Sequence, residues 1–193
     1  MSIDPKELGW IIRRRRAIFP GAYNGRPISR EVIEEILENA NWAPTHRYTE
    51  PWRFKVFTGD ALKRLGHFLA DDYEKNTPEE KFSPMKHKKT SQKPVKSACV
   101  IAICMQRDPE ERLPEWEELA AVSCAVQNMW LAAAAHNIGA YWGTPGAAKR
   151  AGKFLGLEKG ESCLGFFFMG YTDEPWPEGK REPLEGKVKW IDS

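Results

Sequence analysis

Ala98-Cys99-Val100-Ile101-Ala102-Ile103-Cys104-Met105 is the stretch that decides the fold. Eight apolar residues in succession, rich in branched side chains, describe a strand covered on both faces, because a half-exposed strand would alternate with polar residues. Such a strand belongs at the centre of a sheet with helices on either side. Downstream, Pro114 to Asn137 is a long Ala-rich stretch, apolar nearly all round from Leu119. It suits a helix buried through the middle of a domain and closed by Asn137 and Gly139. Phe54 to Phe57, Tyr141-Trp142, and Ser162 to Tyr171 with Phe166, Phe167 and Phe168 together read as three further strands.

The remaining helices announce themselves by their starts. Asp4, Pro5 and Glu7 supply an N-cap, a proline for the first turn and an acid three residues on, with Leu8, Ile11 and Ile12 on one face. The arginines Arg13 to Arg16 then occupy the last turns of that helix. Ser29 caps a second helix, stapled by Ile28 and Ile33, which Pro44 stops near Trp42. Asp60 caps a third, with Leu62, Leu65, Phe68 and Leu69 as its stripe, and a short one follows Gly146 to about Leu157. From Glu74 to Lys96 the pattern dissolves into Lys, Glu, Ser and Pro. That predicts a mobile surface excursion, either an active-site lid or a solvated insertion. The tail from Thr172 is rich in Pro, Gly and charge, but Trp176, Val188 and Trp190 are apolar anchors suited to wrapping a partner subunit.

Composition bounds the possibilities. The 193 residues suit one domain, residues 1–193, and a net charge of +2 gives no general reason to expect a nucleic-acid or membrane partner. Cys99, Cys104, Cys124 and Cys163 lie in apolar segments without CxxC spacing, so buried free thiols are expected, as in a reducing cytoplasm. The N-terminus lacks the apolar core of a signal peptide, and no stretch is long and apolar enough to span a bilayer; a cytoplasmic protein is expected. No G-x-G-x-x-G, P-loop, H-E-x-x-H or G-x-S-x-G motif is present, and the four histidines are dispersed. Neither a metal site nor a catalytic dyad is therefore expected.

Two concentrations of chemistry remain. Four consecutive arginines span slightly more than one helical turn, so two or three of them could hold a phosphomonoester by charge-assisted bonds. A solvated basic face at a helix C-terminus, or a nucleic-acid contact, reads the same residues differently. The second is Asn41-Trp42-Ala43-Pro44-Thr45-His46-Arg47-Tyr48-Thr49-Glu50-Pro51-Trp52, a stiff loop able to press on a planar ligand or to serve as a packing corner.

Together, the arginine cluster, Pro27-Ile28-Ser29, Trp42-Ala43-Pro44-Thr45 and Pro51-Trp52-Arg53-Phe54 resemble the small single-domain members of the FMN-dependent nitroreductase family. Gln127-Asn128-Met129, Trp142-Gly143-Thr144 and Gly170-Tyr171 extend the likeness over nearly the whole chain. The resemblance implies an α+β nitroreductase-like fold: a central, mostly antiparallel sheet flanked by helices, a long buried central helix, and a C-terminal extension reaching the partner subunit. It also implies a homodimer with FMN at the subunit interface, NAD(P)H as electron donor, and a small acceptor such as a nitroaromatic or quinone. Arg14, Arg15 and Arg16 match the phosphate-binding Arg-Arg-Ser element, Arg16 standing where serine is usual. Trp42 and His46 match positions reaching the flavin from the partner, Trp142, Gly143 and Thr144 match the loop against the ring, and Arg181 matches a further phosphate contact. No side chain need be catalytic, since flavin N5 carries the chemistry. A flavin-binding or storage module, a specialised flavin enzyme and a basic interaction protein are the competing readings.

Overall fold

The computed structural model describes residues 4–192. Helices are α1 (Pro5–Arg14), α2 (Arg30–Asn41), α3 (Asp60–Lys75), α4 (Pro84–Val95), α5 (Glu115–Ala135) and α6 (Gly152–Leu155), and strands are β1 (Trp52–Phe57), β2 (Cys99–Gln106), β3 (Gly139–Gly143) and β4 (Glu161–Gly170). The sheet runs β1-β2-β4-β3, and every neighbouring pair is antiparallel. β2 is the doubly covered strand its sequence predicts. Cys99, Ile101, Ile103 and Met105 join α2 and α5 in one core, while Val100, Ala102 and Cys104 join α3 and α6 in another on the opposite face.

The start signals act as read for α1 and α2. Asp4 accepts from the Lys6 amide at 2.8 Å, and Ser29 from that of Val32 at 3.4 Å. Arg13 and Arg14 end α1, Arg15 is its C-cap, and Arg16 lies beyond. Leu8 and Ile12 of α1 nonetheless remain exposed, although the helix packs against α5. Asp60 is the first residue of α3 rather than its cap; that place falls to Gly59, in the left-handed region at φ +53°.

Three expectations are corrected. The stretch 74–96 is not a mobile excursion: it holds the end of α3 and the whole of α4, packed together. Ser83 accepts from the Lys86 amide at 3.3 Å and Pro84 opens the helix, but α4 lacks an apolar stripe. It is held by close backbone approach, for a Cβ on Gly66 would meet the Ser91 carbonyl oxygen at 2.3 Å. α5 is buried on one face only, through Val122, Ala125, Met129 and Ala133; Trp116 and Leu119 on the other are exposed. Cys124 on that face is exposed as well, while the other three thiols are buried as expected. Beyond β4 the chain forms neither helix nor strand to residue 192 and turns once at 184–187, with Leu184, Val188, Trp190 and Ile191 exposed.

Candidate functional site

After α1 the chain straightens and lies beside the edge strand β3. Ala17 forms a parallel bridge with Ala140, and the Ile18 amide donates to the Ala140 carbonyl at 3.0 Å. This pairing sets Arg16 level with the start of β3 and carries the chain after it alongside the strand toward Trp142.

The end of α1 and the segment 172–177 enclose a cavity of about 610 Å³, lined by Arg13, Arg14, Arg16, Asn137, Trp10 and Trp176 among others. Arg14 donates to Asn137 Oδ1 at 2.6 Å, its guanidinium 4.7 Å from the Trp10 ring centroid and 5.0 Å from that of Trp176. Arg16 acts as a clamp. Its Nε donates to the Pro177 carbonyl at 2.9 Å and its Nη1 to the carbonyls of Arg13 and Arg15, so it ties the C-terminal segment to the end of α1.

Arg15 faces elsewhere. It does not line the cavity but stacks on Trp130 at 4.5 Å, and the Trp130 indole donates to the Arg16 carbonyl at 3.1 Å. Burial, then the positive charges of Arg181 and Arg16, push the Arg15 pKa below its ordinary value. Among the described residues none of Arg13 to Arg16 or Arg181 is paired with a carboxylate. Glu174 also lines the arginine cavity without pairing to any of them, so the cluster keeps an excess of positive charge.

β3 supplies the second part. Trp142 is half-buried against the α5 side of the sheet, and its Nε1 is buried with no hydrogen-bond partner. The β-bulge in β4 makes room for it: Gly165, at φ +141°, would place a Cβ 2.5 Å from the Gly143 oxygen and 2.7 Å from Trp142 Nε1. Only glycine lets Trp142, Gly143 and Thr144 lie so close to β4. On the other side of β3, Tyr141 packs on Phe19 and Phe168, with Lys93 Nζ 5.4 Å from its ring. Burial, then the charge of Lys89, lowers the Lys93 pKa.

Trp42 and His46 line neither the arginine cavity nor the Lys93 cavity. Trp42 is exposed beside a groove of about 430 Å³ between α2 and α5, and its indole donates to Glu38 at 2.9 Å. His46 Nδ1 lies 2.8 Å from Glu117 Oε2, in a loop where Arg47, Tyr48 and Glu50 have positive φ. Arg14 and Arg16 thus line one cavity, Arg15 lies beside it with Arg181 near, and the Trp142 loop stands at the far end of the adjoining edge strand; Trp42 and His46 lie apart from all of these. Trp130, Asn137, Trp176 and Lys93 were missed. The first two sit in what reads as helix interior and helix end, and the last two in segments whose composition reads as loop. Among the described residues no group could hold a metal ion, and no helix is long and apolar enough to cross a membrane.

Comparison with known proteins gives consistent findings. The profile of the nitroreductase family matches residues 12–171. A Bacillus subtilis (strain 168) protein, YfhC, classed provisionally as an NAD(P)H nitroreductase, is 31% identical over 180 residues, covering 92% of this chain and 90% of its own. The crystal structure of a nitroreductase-like family protein from Bacillus cereus superposes with TM-score 0.83 at 26% identity over the whole of both chains. That of the FMN-dependent nitroreductase NfnB from Mycobacterium smegmatis, in complex with NADPH, has TM-score 0.75 at 17% identity, covering 96% of this chain and 98% of that one.

Proposed function

The chain belongs to the nitroreductase family, and we propose that it works as an NAD(P)H-dependent oxidoreductase, with FMN held at the edge of the sheet beside β3. The observation that carries this reading is the cluster of Arg15, Arg16 and Arg181, which lacks any carboxylate partner among the described residues. Its charge suits a phosphomonoester. The buried, unpartnered Trp142 Nε1 is a second point of fit, a donor awaiting an acceptor.

Arg15, with Arg181, would hold the phosphate, and Arg16 ties the C-terminal segment to the end of α1 beside it. Trp142, Gly143 and Thr144 offer an indole N–H and a backbone without obstructing side chains to a planar ring. Lys93, kept short of full solvation against Tyr141 on the other side of β3, adds positive charge beside the same strand. Bound there, FMN supplies hydride acceptance and donation at N5, passing electrons from NAD(P)H to a small oxidised acceptor such as a nitroaromatic or quinone. One open site visited in turn by donor and acceptor gives ping-pong kinetics.

The exposed outer face of α5, the groove beside Trp42 and the exposed Trp190 and Ile191 suit a second copy of the chain. In a homodimer, Trp42 and His46 would complete the partner's site, consistent with their distance from the arginines of their own chain.

The test is flavin retention. The Arg15→Gln, Arg181→Gln double variant keeps polar groups at both positions but loses the charge, and should weaken FMN binding on the order of 100-fold, about two charge-assisted bonds. Equal retention of FMN by variant and wild type after dialysis would refute the phosphate assignment. A wild-type protein that is colourless and oxidises no NAD(P)H would refute the oxidoreductase reading.

A further inference from the structure

Two thiols of the core have no part in the flavin chemistry. Cys104 of β2 and Cys163 of β4 are direct partners in the antiparallel register and share one core, on the α3 and α6 side of the sheet. Opposed residues of such a pair lie about 4.5–5.5 Å apart at Cα, inside the roughly 4.4–6.8 Å that a disulfide spans. The Cys104 thiol donates to Cys163, and the Cys163 thiol donates to the Gly165 carbonyl at 3.5 Å. The first of these bonds holds Cys163 below the ordinary thiol value despite its burial, and together with burial it pushes Cys104 up. Cys163 is also the one with some exposure, 8% against none for Cys104. The other two cysteines are placed differently. Cys99 stands opposite Met169 in the other core, and Cys124 is exposed on α5.

We propose that Cys104 and Cys163 form a redox site, closed to a disulfide by hydrogen peroxide and reopened by thiols, and that closure loosens the Trp142 loop. The Cys163 sulfur attacks one peroxide oxygen, the O–O bond breaks, and Cys163 becomes a sulfenic acid while the other oxygen leaves as water. The Cys104 sulfur then displaces the sulfenic hydroxyl, which takes up the remaining thiol proton and leaves as a second water. Two thiols lose two electrons in all, and one peroxide is reduced to two waters. The effect reaches the site through Gly165, two residues from Cys163 and beside the bulge. There the backbone packs so closely on Gly143 and Trp142 that a Cβ has no room. β4 lies between β2 and β3, so closing the sulfurs to an S–S bond of about 2.05 Å draws it toward β2 and away from the Trp142 loop. The functional consequence rests on the flavin reading above; the oxidation itself does not.

The protein, reduced and desalted, is exposed to hydrogen peroxide under native conditions, quenched with an alkylating agent in denaturant and mapped by mass spectrometry. Peptides joined through Cys104 and Cys163 should appear, and should separate again on treatment with dithiothreitol. Cys104→Ala removes the resolving thiol, so Cys163 should then be trapped by dimedone as the sulfenic acid, whereas Cys163→Ala should leave Cys104 unreacted. An unreacted pair in the wild type, or a disulfide made through Cys99 or Cys124 instead, would overturn the site. FMN affinity is next compared between the reduced and disulfide forms of the wild type by titration of flavin fluorescence. The disulfide form should bind about tenfold more weakly, the worth of one hydrogen bond such as the Trp142 indole offers. Equal affinity in the two forms would overturn the coupling to the loop. If neither form binds FMN, the flavin reading fails, while the peptide map still decides the redox site.

Discussion

Glu118 offers a decisive test of how the first turns of α5 are held. Its side chain is fully buried, accepting from Arg107 Nη1 and, at 2.8 Å, from the Asp108 amide. Arg107 in turn donates to the Leu113 carbonyl at 3.2 Å, so one carboxylate pins both ends of the loop 107–113. Glu118→Ala leaves a mostly buried guanidinium and a buried N–H without an acceptor. Breaking a buried pair from one side costs roughly 3–5 kcal/mol. The Arg107 side chain is 22% exposed and can recover some hydration, which places the expected cost near the lower bound, about 3 kcal/mol. With an m-value of about 2–3 kcal/mol/M in urea, the unfolding midpoint should fall by roughly 1–1.5 M. Replacing both partners, Arg107→Met with Glu118→Leu, removes the unmet charge but still leaves the Asp108 N–H without its acceptor, so it should recover only part of the loss, on the order of 1–2 kcal/mol. The measurement is urea unfolding of the flavin-free protein at one fixed concentration, since assembly and ligand both add stability by mass action. A single variant costing less than about 1 kcal/mol, or a double variant no more stable than the single, would refute the reasoning.

Gly66→Ala should be among the most damaging small substitutions, because its Cβ would lie 2.3 Å from the Ser91 carbonyl; a loss of about 2–3 kcal/mol is expected, read as a lower melting temperature, whereas Gly21→Ala, with open space around it, should be near neutral. Trp142→Phe removes the orphaned indole N–H, so the flavin-free protein should be as stable as wild type or more so, while FMN retention falls; unchanged retention would count against an indole contact. Hydrogen bonds from the Arg112 side chain hold the Asp108 carboxyl at about 2, below its unfolded value of roughly 3.9. A lowered carboxyl pKa stabilises the fold in full above the unfolded value and loses that contribution as pH falls toward 2, so Arg112→Met should flatten the acid limb of a stability-against-pH curve between about 4 and 2.

The sequence was most legible where one physical signal dominated. Eight apolar residues without a break admit only a covered strand, and β2 is that strand; Ser29 with Pro44 brackets α2 because capping and pre-proline sterics are local. α4 escaped because its anchorage lies in another helix: nothing in Pro84 to Val95 reveals that Gly66, some twenty residues earlier, brings α3 close to Ser91. The uncovered face of α5 escaped for the opposite reason, since periodicity reports which residues are apolar and not whether the same chain covers them. At the site, the arginines and the Trp142 loop were visible as residue types in order. That the segment after the arginines runs along the strand leading to that loop was not, because it depends on a single parallel bridge between Ala17 and Ala140. Arg16 illustrates the limit: three backbone carbonyls make it a clamp, a role that position in a motif does not disclose.

The contrast between β2 and the segments at the sheet edge carries over to hydrogen exchange. Amides of β2 are enclosed by two cores and should exchange only through global opening, whereas residues 13–22 and 172–181 are tied by a few bonds and should exchange through local fraying. The candidate cofactor site is built from the segments that fray. Occupancy should therefore register as slowed deuterium uptake along those two segments, with protection in β2 rising only as far as global stability does. Peptide-level exchange would map the site without a crystal.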